Sequence, residues 1–275
     1  MRIASNCPRS EIFLVNELKD ELLSVLNDQR IHTLYQPIVK LDSGAAMGYE
    51  ALTRGPAGSV LHSPLQLFKA AEQHGLLYAL ERLARERAIQ NVRLGAKEQQ
   101  LFLNISSHII NDAEFVPGRT LEVLQKNGLG PENIVFEITE RNSIEDFAVA
   151  KKILEHYRRQ GYRIAIDDAG AGYSSLATIA QLYPDYIKID RSLIHNIHLD
   201  RIKEYIVEAF ITFTQKMNID LIAEGIEQEE ELTMLMRMGV RYAQGYLLAR
   251  PAEVPAAIPA AIHQLIRQNH KNIGL

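Results

Sequence analysis

Ile164-Ala165-Ile166-Asp167-Asp168 is a short apolar run that stops on carboxylates. The same punctuation recurs in Met47-Gly48-Tyr49-Glu50, Leu101-Phe102-Leu103-Asn104, Ile134-Val135-Phe136-Glu137, Tyr186-Ile187-Lys188-Ile189-Asp190 and Leu221-Ile222-Ala223-Glu224. Apolar runs of this length, separated by stretches of helical period, mark parallel strands buried on both faces. Working outward, strands are expected near 101–106, 134–139, 163–168, 186–190, 219–226 and 242–248. Helices are expected near 120–127, 144–160, 174–182, 202–217, 228–237 and 254–268.

Toward the N-terminus, the strand-like stretches 31–41 and 45–54 are too close for a crossover helix, so they form an antiparallel pair. A helical stretch at 64–95 is broken near Gly75. Residues 11–28 carry an apolar stripe of Leu14, Val15, Leu18, Leu22, Val25 and Leu26. In 202–217, Ile202, Tyr205, Ile206, Ala209, Phe210, Phe213 and Met217 follow the helical period, and Asn218 can end the helix. About eight strands with intervening helices suggest an α/β barrel, with an open doubly wound sheet as the alternative. No repeat or long linker divides the chain, so residues 1–275 are expected to form one domain, with 1–30 as a helical extension.

The net charge of −4 over 275 residues argues against a nucleic-acid polymer as partner, which calls for a basic face. The one cysteine, Cys7, excludes an internal disulfide and a thiolate-rich zinc site. No apolar run is long enough to span a bilayer, and Glu11, Glu17, Lys19, Asp20 and Glu21 interrupt any signal-peptide core. The expectation is a soluble cytoplasmic protein with no membrane partner.

Strand side chains alternate between faces. Phe136 and Ile138, Ile187 and Ile189, and Leu221 and Ala223 are assigned to the helix side. Glu137, Lys188 and Glu224 then point into the barrel mouth. Asp167 and Asp168 are neighbours, so both reach one site only if the backbone leaves strand geometry, which Gly170 and Gly172 permit. Buried carboxylates crowded at one strand end stay ionised only with compensating cations. The candidate ligands Glu50, Asn104, Glu137, Asp167, Asp168 and Glu224 are all oxygen donors, which suit magnesium or manganese. Taken singly, each acid reads as a solvated strand-end residue and Asn104 as a turn residue. Their recurrence at one strand end favours a site.

Glu50-Ala51-Leu52, with Thr53-Arg54 after it, resembles the signature of the EAL-domain cyclic di-GMP phosphodiesterases. The resemblance runs from Tyr35-Gln36-Pro37-Ile38 to Gln244-Gly245-Tyr246. It takes in Asn104-Ile105-Ser106, Glu137-Ile138-Thr139-Glu140, Asp167-Asp168, Asp185-Tyr186-Ile187-Lys188-Ile189-Asp190 and Glu224-Gly225-Ile226-Glu227. It implies a modified TIM (β/α)8 barrel with one antiparallel strand. It also implies hydrolysis of cyclic di-GMP to linear pGpG with magnesium or manganese, two ions, in a homodimer. By position, Glu50, Asn104, Glu137, Asp167, Asp168 and Glu224 would bind metal, and Lys188 would contact the catalytic water. Glu140 would hold the loop after Asp168. Gln36, Leu52, Arg54 and Gln244 would hold or adjoin substrate, and Glu227 would support the site. One departure is Ala169, where the family often has phenylalanine; reduced turnover is the expectation there. The alternative is a catalytically weak or inactive receptor for cyclic di-GMP.

Overall fold

A computed structural model describes residues 8–106, 118–139, 147–171 and 176–273. The chain begins with α1 (Pro8–Asn27), then β1 (His32–Lys40), β2 (Ala46–Arg54), α2 (Pro64–Gln73), α3 (Leu77–Asn91) and β3 (Gln100–Asn104). Next come α4 (Arg119–Lys126), β4 (Ile134–Thr139), α5 (Phe147–Arg159), β5 (Arg163–Ala169), α6 (Leu176–Leu182) and β6 (Tyr186–Ile189). It ends with the short α7 (Arg191–Ile194), α8 (Arg201–Met217), β7 (Asp220–Ala223), α9 (Glu229–Arg237), β8 (Tyr242–Ala243) and α10 (Ala260–Ile273).

The eight strands close into a barrel in chain order. The open-sheet alternative is excluded. β2 to β8 are successively parallel, and β1 runs against both β2 and β8. The reversal follows from the short β1–β2 link, in which Gly44 takes φ +75°.

Alternation divides the apolar residues as expected. Ile38, Met47, Phe102, Val135, Ala165, Tyr186 and Ile222 fill the barrel interior as one buried cluster. Phe136, Ile138, Ile187, Ile189, Leu221 and Ala223 belong to the larger cluster that meets the helices. There Phe136 packs against the rings of Tyr157 and Tyr162, with centroids 4.3 and 4.9 Å away. α1 joins a third cluster, Leu22 and Val25 packing with Leu67, Ala70 and Ala71 of α2 and Leu80 and Ala84 of α3.

Several expected boundaries shift for local reasons. The last helix is not at 254–268 but at Ala260–Ile273, because Pro255 and Pro259 lack the N–H groups a helix interior needs. β8 is two residues long instead of reaching 248, because the chain folds back at Gly245, whose absent Cβ would sit 2.1 Å from the Ile226 carbonyl oxygen. β7 stops at Ala223, and Gly225 follows in the left-handed region at φ +68°. α8 is capped by Asp200, whose carboxylate accepts from the Ile202 and Lys203 N–H groups, and ends on Asn218 at φ +55°.

Candidate metal centre and active site

Strands β2 to β6, and the residues just past β7 and β8, place polar side chains at the barrel mouth. In strand order these are Glu50, Asn104, Glu137, Asp167, Lys188 and Glu224, with Gln244 following β8 and Gln36 coming from β1. Beneath them lies the apolar plug of Phe102, Val135, Ala165 and Ile222. The polar layer therefore sits on a dry floor, where charge interactions are weakly screened.

Lys188 is at the centre. Its Nζ lies 2.7 Å from Glu137 Oε1, 2.7 Å from Glu224 Oε1, 3.1 Å from Asp167 Oδ1 and 3.4 Å from Glu50 Oε2. Its side chain is 1 % exposed. Burial alone would lower its pKa, but the charges of Asp167, Glu137, Glu224 and Glu50 outweigh this and hold the ammonium well above its ordinary value.

One ammonium does not neutralise four carboxylates, and burial, aided by the remaining negative charge, raises the proton affinity of acids in the cluster. Burial pushes Glu137 well up, only partly offset by Lys188. Glu224 is raised for the same reason, again against the pull of Lys188. Asp168 rises to about 6 through burial, then the charges of Asp167 and Asp190.

Two sets of oxygens converge within 4.8 Å: Glu50, Glu137 and Asp167 form one, and Asp167, Asp168 and Glu224 the other. Asp167 belongs to both. The backbone departure expected at the acidic pair is present. Asp168 has φ +57°, and the β5–β6 register shifts between Ile166 and Ala169. A bulge re-aims a side chain in this way. Asn104 Nδ2 donates to Glu50 Oε1 at 3.3 Å and Glu137 Oε2 at 3.2 Å, which leaves its Oδ1 as the atom suited to a cation. Glu137 Oε1 and Asp167 Oδ1 are buried without an aligned hydrogen-bond donor, although Lys188 is near both. Excess charge, oxygen-only donors and a shared carboxylate fit hard divalent cations.

Gln244 Nε2 donates to Glu50 Oε2 at 2.7 Å and to Gln36 Oε1 at 3.1 Å. Gln36 Nε2 donates to the Ala249 carbonyl at 3.2 Å. Leu52 and Arg54 follow Glu50 at alternate positions of β2, so they rise above it on the same face, and both are half-buried. Arg54 donates to the Thr53 carbonyl at 2.9 Å. Glu140 lies outside the described residues.

A cleft of about 380 Å³ opens beside the carboxylates, lined by Gln36, Glu50, Glu224, Asp190, Arg191 and Tyr246 among others. Asp190 and Tyr246 stand at the ends of stretches quoted from the sequence but were given no site role, and Arg191 was not singled out. Asp190 ended an apolar run, but its neighbour Arg191 carried no pattern signal. Tyr246, 50 % exposed, lies under the Arg250 guanidinium, 4.7 Å from ring centroid to Cζ. Ala169 is not an exposed loop residue. It has no accessible surface, pairs with Ile189 and packs in the shell between barrel and helices.

The family model for the EAL domain matches residues 16–251. The chain belongs to the EAL domain family. The bifunctional diguanylate cyclase/cyclic di-GMP phosphodiesterase MucR of Pseudomonas aeruginosa is 31 % identical over 241 residues, covering 86 % of this chain and 35 % of that protein. The probable cyclic di-GMP phosphodiesterase PdeB of Escherichia coli is 32 % identical over 234 residues, covering 83 % of this chain and 44 % of the relative. This EAL chain thus spans less than half the length of either. Among solved structures, the PaMucR phosphodiesterase in complex with c-di-GMP superposes with a TM-score of 0.77 at 30 % identity, covering 90 % of this chain and 99 % of that one. A manganese/cy-diGMP complex of Klebsiella pneumoniae BlrP1 gives a TM-score of 0.74 at 31 % identity, covering 81 % of this chain and 56 % of that one. No helix among the described residues of this EAL chain is long and apolar enough to cross a membrane.

Proposed function

We propose that this EAL chain hydrolyses cyclic di-GMP to linear pGpG and needs two divalent ions, magnesium or manganese, to do so. The observation that carries the reading is the pair of oxygen sets sharing Asp167. Relatives named as cyclic di-GMP phosphodiesterases support the choice of substrate. Glu50, Asn104, Glu137, Asp167, Asp168 and Glu224 would hold the ions. Ions so held supply an acidified water and neutralise charge on the phosphodiester.

The reaction adds water across one phosphorus–oxygen bond. The water oxygen bonds to phosphorus, the 3′ oxygen leaves and takes a proton, and the ring opens to a 5′-phosphate and a 3′-hydroxyl. Lys188, fixed by contacts of 2.7 Å to Glu137 and Glu224, donates toward the water or the phosphoryl oxygens and balances developing charge. Glu224 and Lys188 form the proton-handling pair. Arg54 meets a phosphate, Leu52 packs against the nucleotide, and Gln36 and Gln244 hold the substrate and Glu50 through one amide chain. Glu140 holding the loop after Asp168 is part of the same proposal, as are a single 1–275 domain and a cytoplasmic setting. The proposed homodimer forms through the exposed apolar residues Leu199, Ile202, Tyr205 and Ile206 on and before α8.

Purified protein incubated with cyclic di-GMP and magnesium is expected to release pGpG, resolved by chromatography. Product should vanish with a chelator and in Glu50→Ala. Binding without turnover would replace the enzyme reading with that of a receptor.

A further inference from the structure

Glu231, in the first turn of α9, is a fully buried carboxylate that the proposed chemistry does not use. Its Oε2 accepts from the backbone N–H groups of Glu227 at 3.0 Å and Gln228 at 3.1 Å, which is ordinary capping of its own helix. Its Oε1 points elsewhere. It accepts from the backbone N–H of Asn196 at 2.8 Å, in the connection that follows β6 and α7. Capping gives no reason for this second bond. Gln228 Nε2 donates to Asn196 Oδ1 at 3.0 Å, doubling the link.

The two connections joined in this way both carry groups that face the cleft. The one after β6 presents Asp190 and Arg191, and the one after β7 presents Glu224 and Glu227. Arg191 donates to Glu227 Oε2 at 2.7 Å across the gap. Its stem lies so close to Gly225 that a Cβ there would sit 2.4 Å from Arg191 Cγ. The residue after the candidate ligand Glu224 is thus pressed flat under a side chain from the neighbouring loop.

We propose that Glu231 is a positioning residue: its buried carboxylate ties the β6 connection to the β7 connection, and so fixes Glu224 at the metal centre and Arg191 on the cleft wall. The inference rests on the metal-centre reading, but not on which nucleotide is hydrolysed. Free manganese is measured by its electron paramagnetic resonance signal, without nucleotide, in wild type, Glu231→Gln and Glu231→Ala, alongside thermal unfolding with a chelator. Glu231→Gln keeps the volume but turns one acceptor into a donor facing an N–H group.

Groups bonded directly to a metal ligand typically set affinity by about ten- to a hundredfold, and Glu231 acts one step further back, through the backbone of the connection, so the low end applies. We therefore expect manganese affinity to fall about tenfold in Glu231→Ala and by a smaller factor in Glu231→Gln. KM for cyclic di-GMP should rise in both variants. Unchanged manganese affinity in Glu231→Gln overturns the proposal, whether or not Glu231→Ala folds. So does a lowered melting temperature with wild-type affinity and KM, which is the signature of capping alone. If wild type binds manganese but leaves cyclic di-GMP intact, the substrate reading fails, and the manganese titrations still decide the role of Glu231.

Discussion

Replacing Lys188 by methionine removes the one cation among four carboxylates while keeping much of the side-chain volume. Each ammonium–carboxylate contact of 2.7–3.4 Å corresponds to about 5–6 kcal/mol of attraction at an effective dielectric of 20. The net loss is smaller, because burying the ammonium is itself unfavourable. Removing one partner from a buried ion pair costs about 3–5 kcal/mol. At about 2–4 °C per kcal/mol for a chain of this size class, the metal-free variant should melt about 6–20 °C below wild type at neutral pH. The pKa of Lys188 is raised, so its stabilisation is full below its ordinary pKa and is lost only as pH climbs through the higher folded value. The deficit should shrink at acidic pH for a different reason, since protonated carboxylates no longer repel. Manganese at a hundredfold excess over Kd should stabilise the variant by about 2.7 kcal/mol, while hydrolysis stays lost. Calorimetry in chelator and in manganese, at pH 5 and 7.5, reads all of this. Melting temperatures within about 2 °C in chelator at pH 7.5 would falsify the electrostatic account of the centre.

Other outcomes follow from the same geometry. Asp168 holds its proton up to about 6 against an ordinary 3.8, so the folded state binds more protons than the unfolded one between those values. Its contribution to metal-free stability therefore falls as pH rises through that window, and manganese affinity rises through about pH 6; a flat manganese titration from pH 5 to 7 would refute this. Ala169→Phe must displace packed neighbours and should lose about 1–3 kcal/mol in urea unfolding, rather than gain order; equal midpoints would show that the shell has room. Ile202→Glu places a charge on a residue 71 % exposed, so the fold should persist while light scattering reports a monomer; an unchanged dimer mass places the interface elsewhere.

Much of this molecule could be read from alternation and punctuation. The helix-facing and inward-facing residues of β4, β6 and β7 are as the two-residue period assigns them. The β1–β2 reversal follows from link length, and the bulge at Asp168 from two adjacent acids that share one site. What stayed hidden depends on contacts between distant segments. Lys188 could be aimed at the mouth, but its place among four carboxylates is a property of barrel closure. Arg191 follows a strand with no pattern of its own, Glu231 reads only as a first-turn acid of the expected helix, and their partners lie 36 and 35 residues away. Ala169 read as a loop residue because the strand continues past a break that sequence period cannot anticipate.

The reversed first strand also sets how force reaches the centre. In an all-parallel barrel the chain enters at the closed base. Here His32 pairs with Arg54 at the mouth, and Lys40 pairs with Tyr242 at the base, so the polypeptide arrives from above. Four residues further on is Gln36, hydrogen-bonded to Gln244 and through it to Glu50. A tug or twist on α1 would reach the candidate ligand Glu50 along one strand of the barrel wall and a chain of two amides. The N-terminal helix would then act as a lever whose short arm ends at the candidate metal centre.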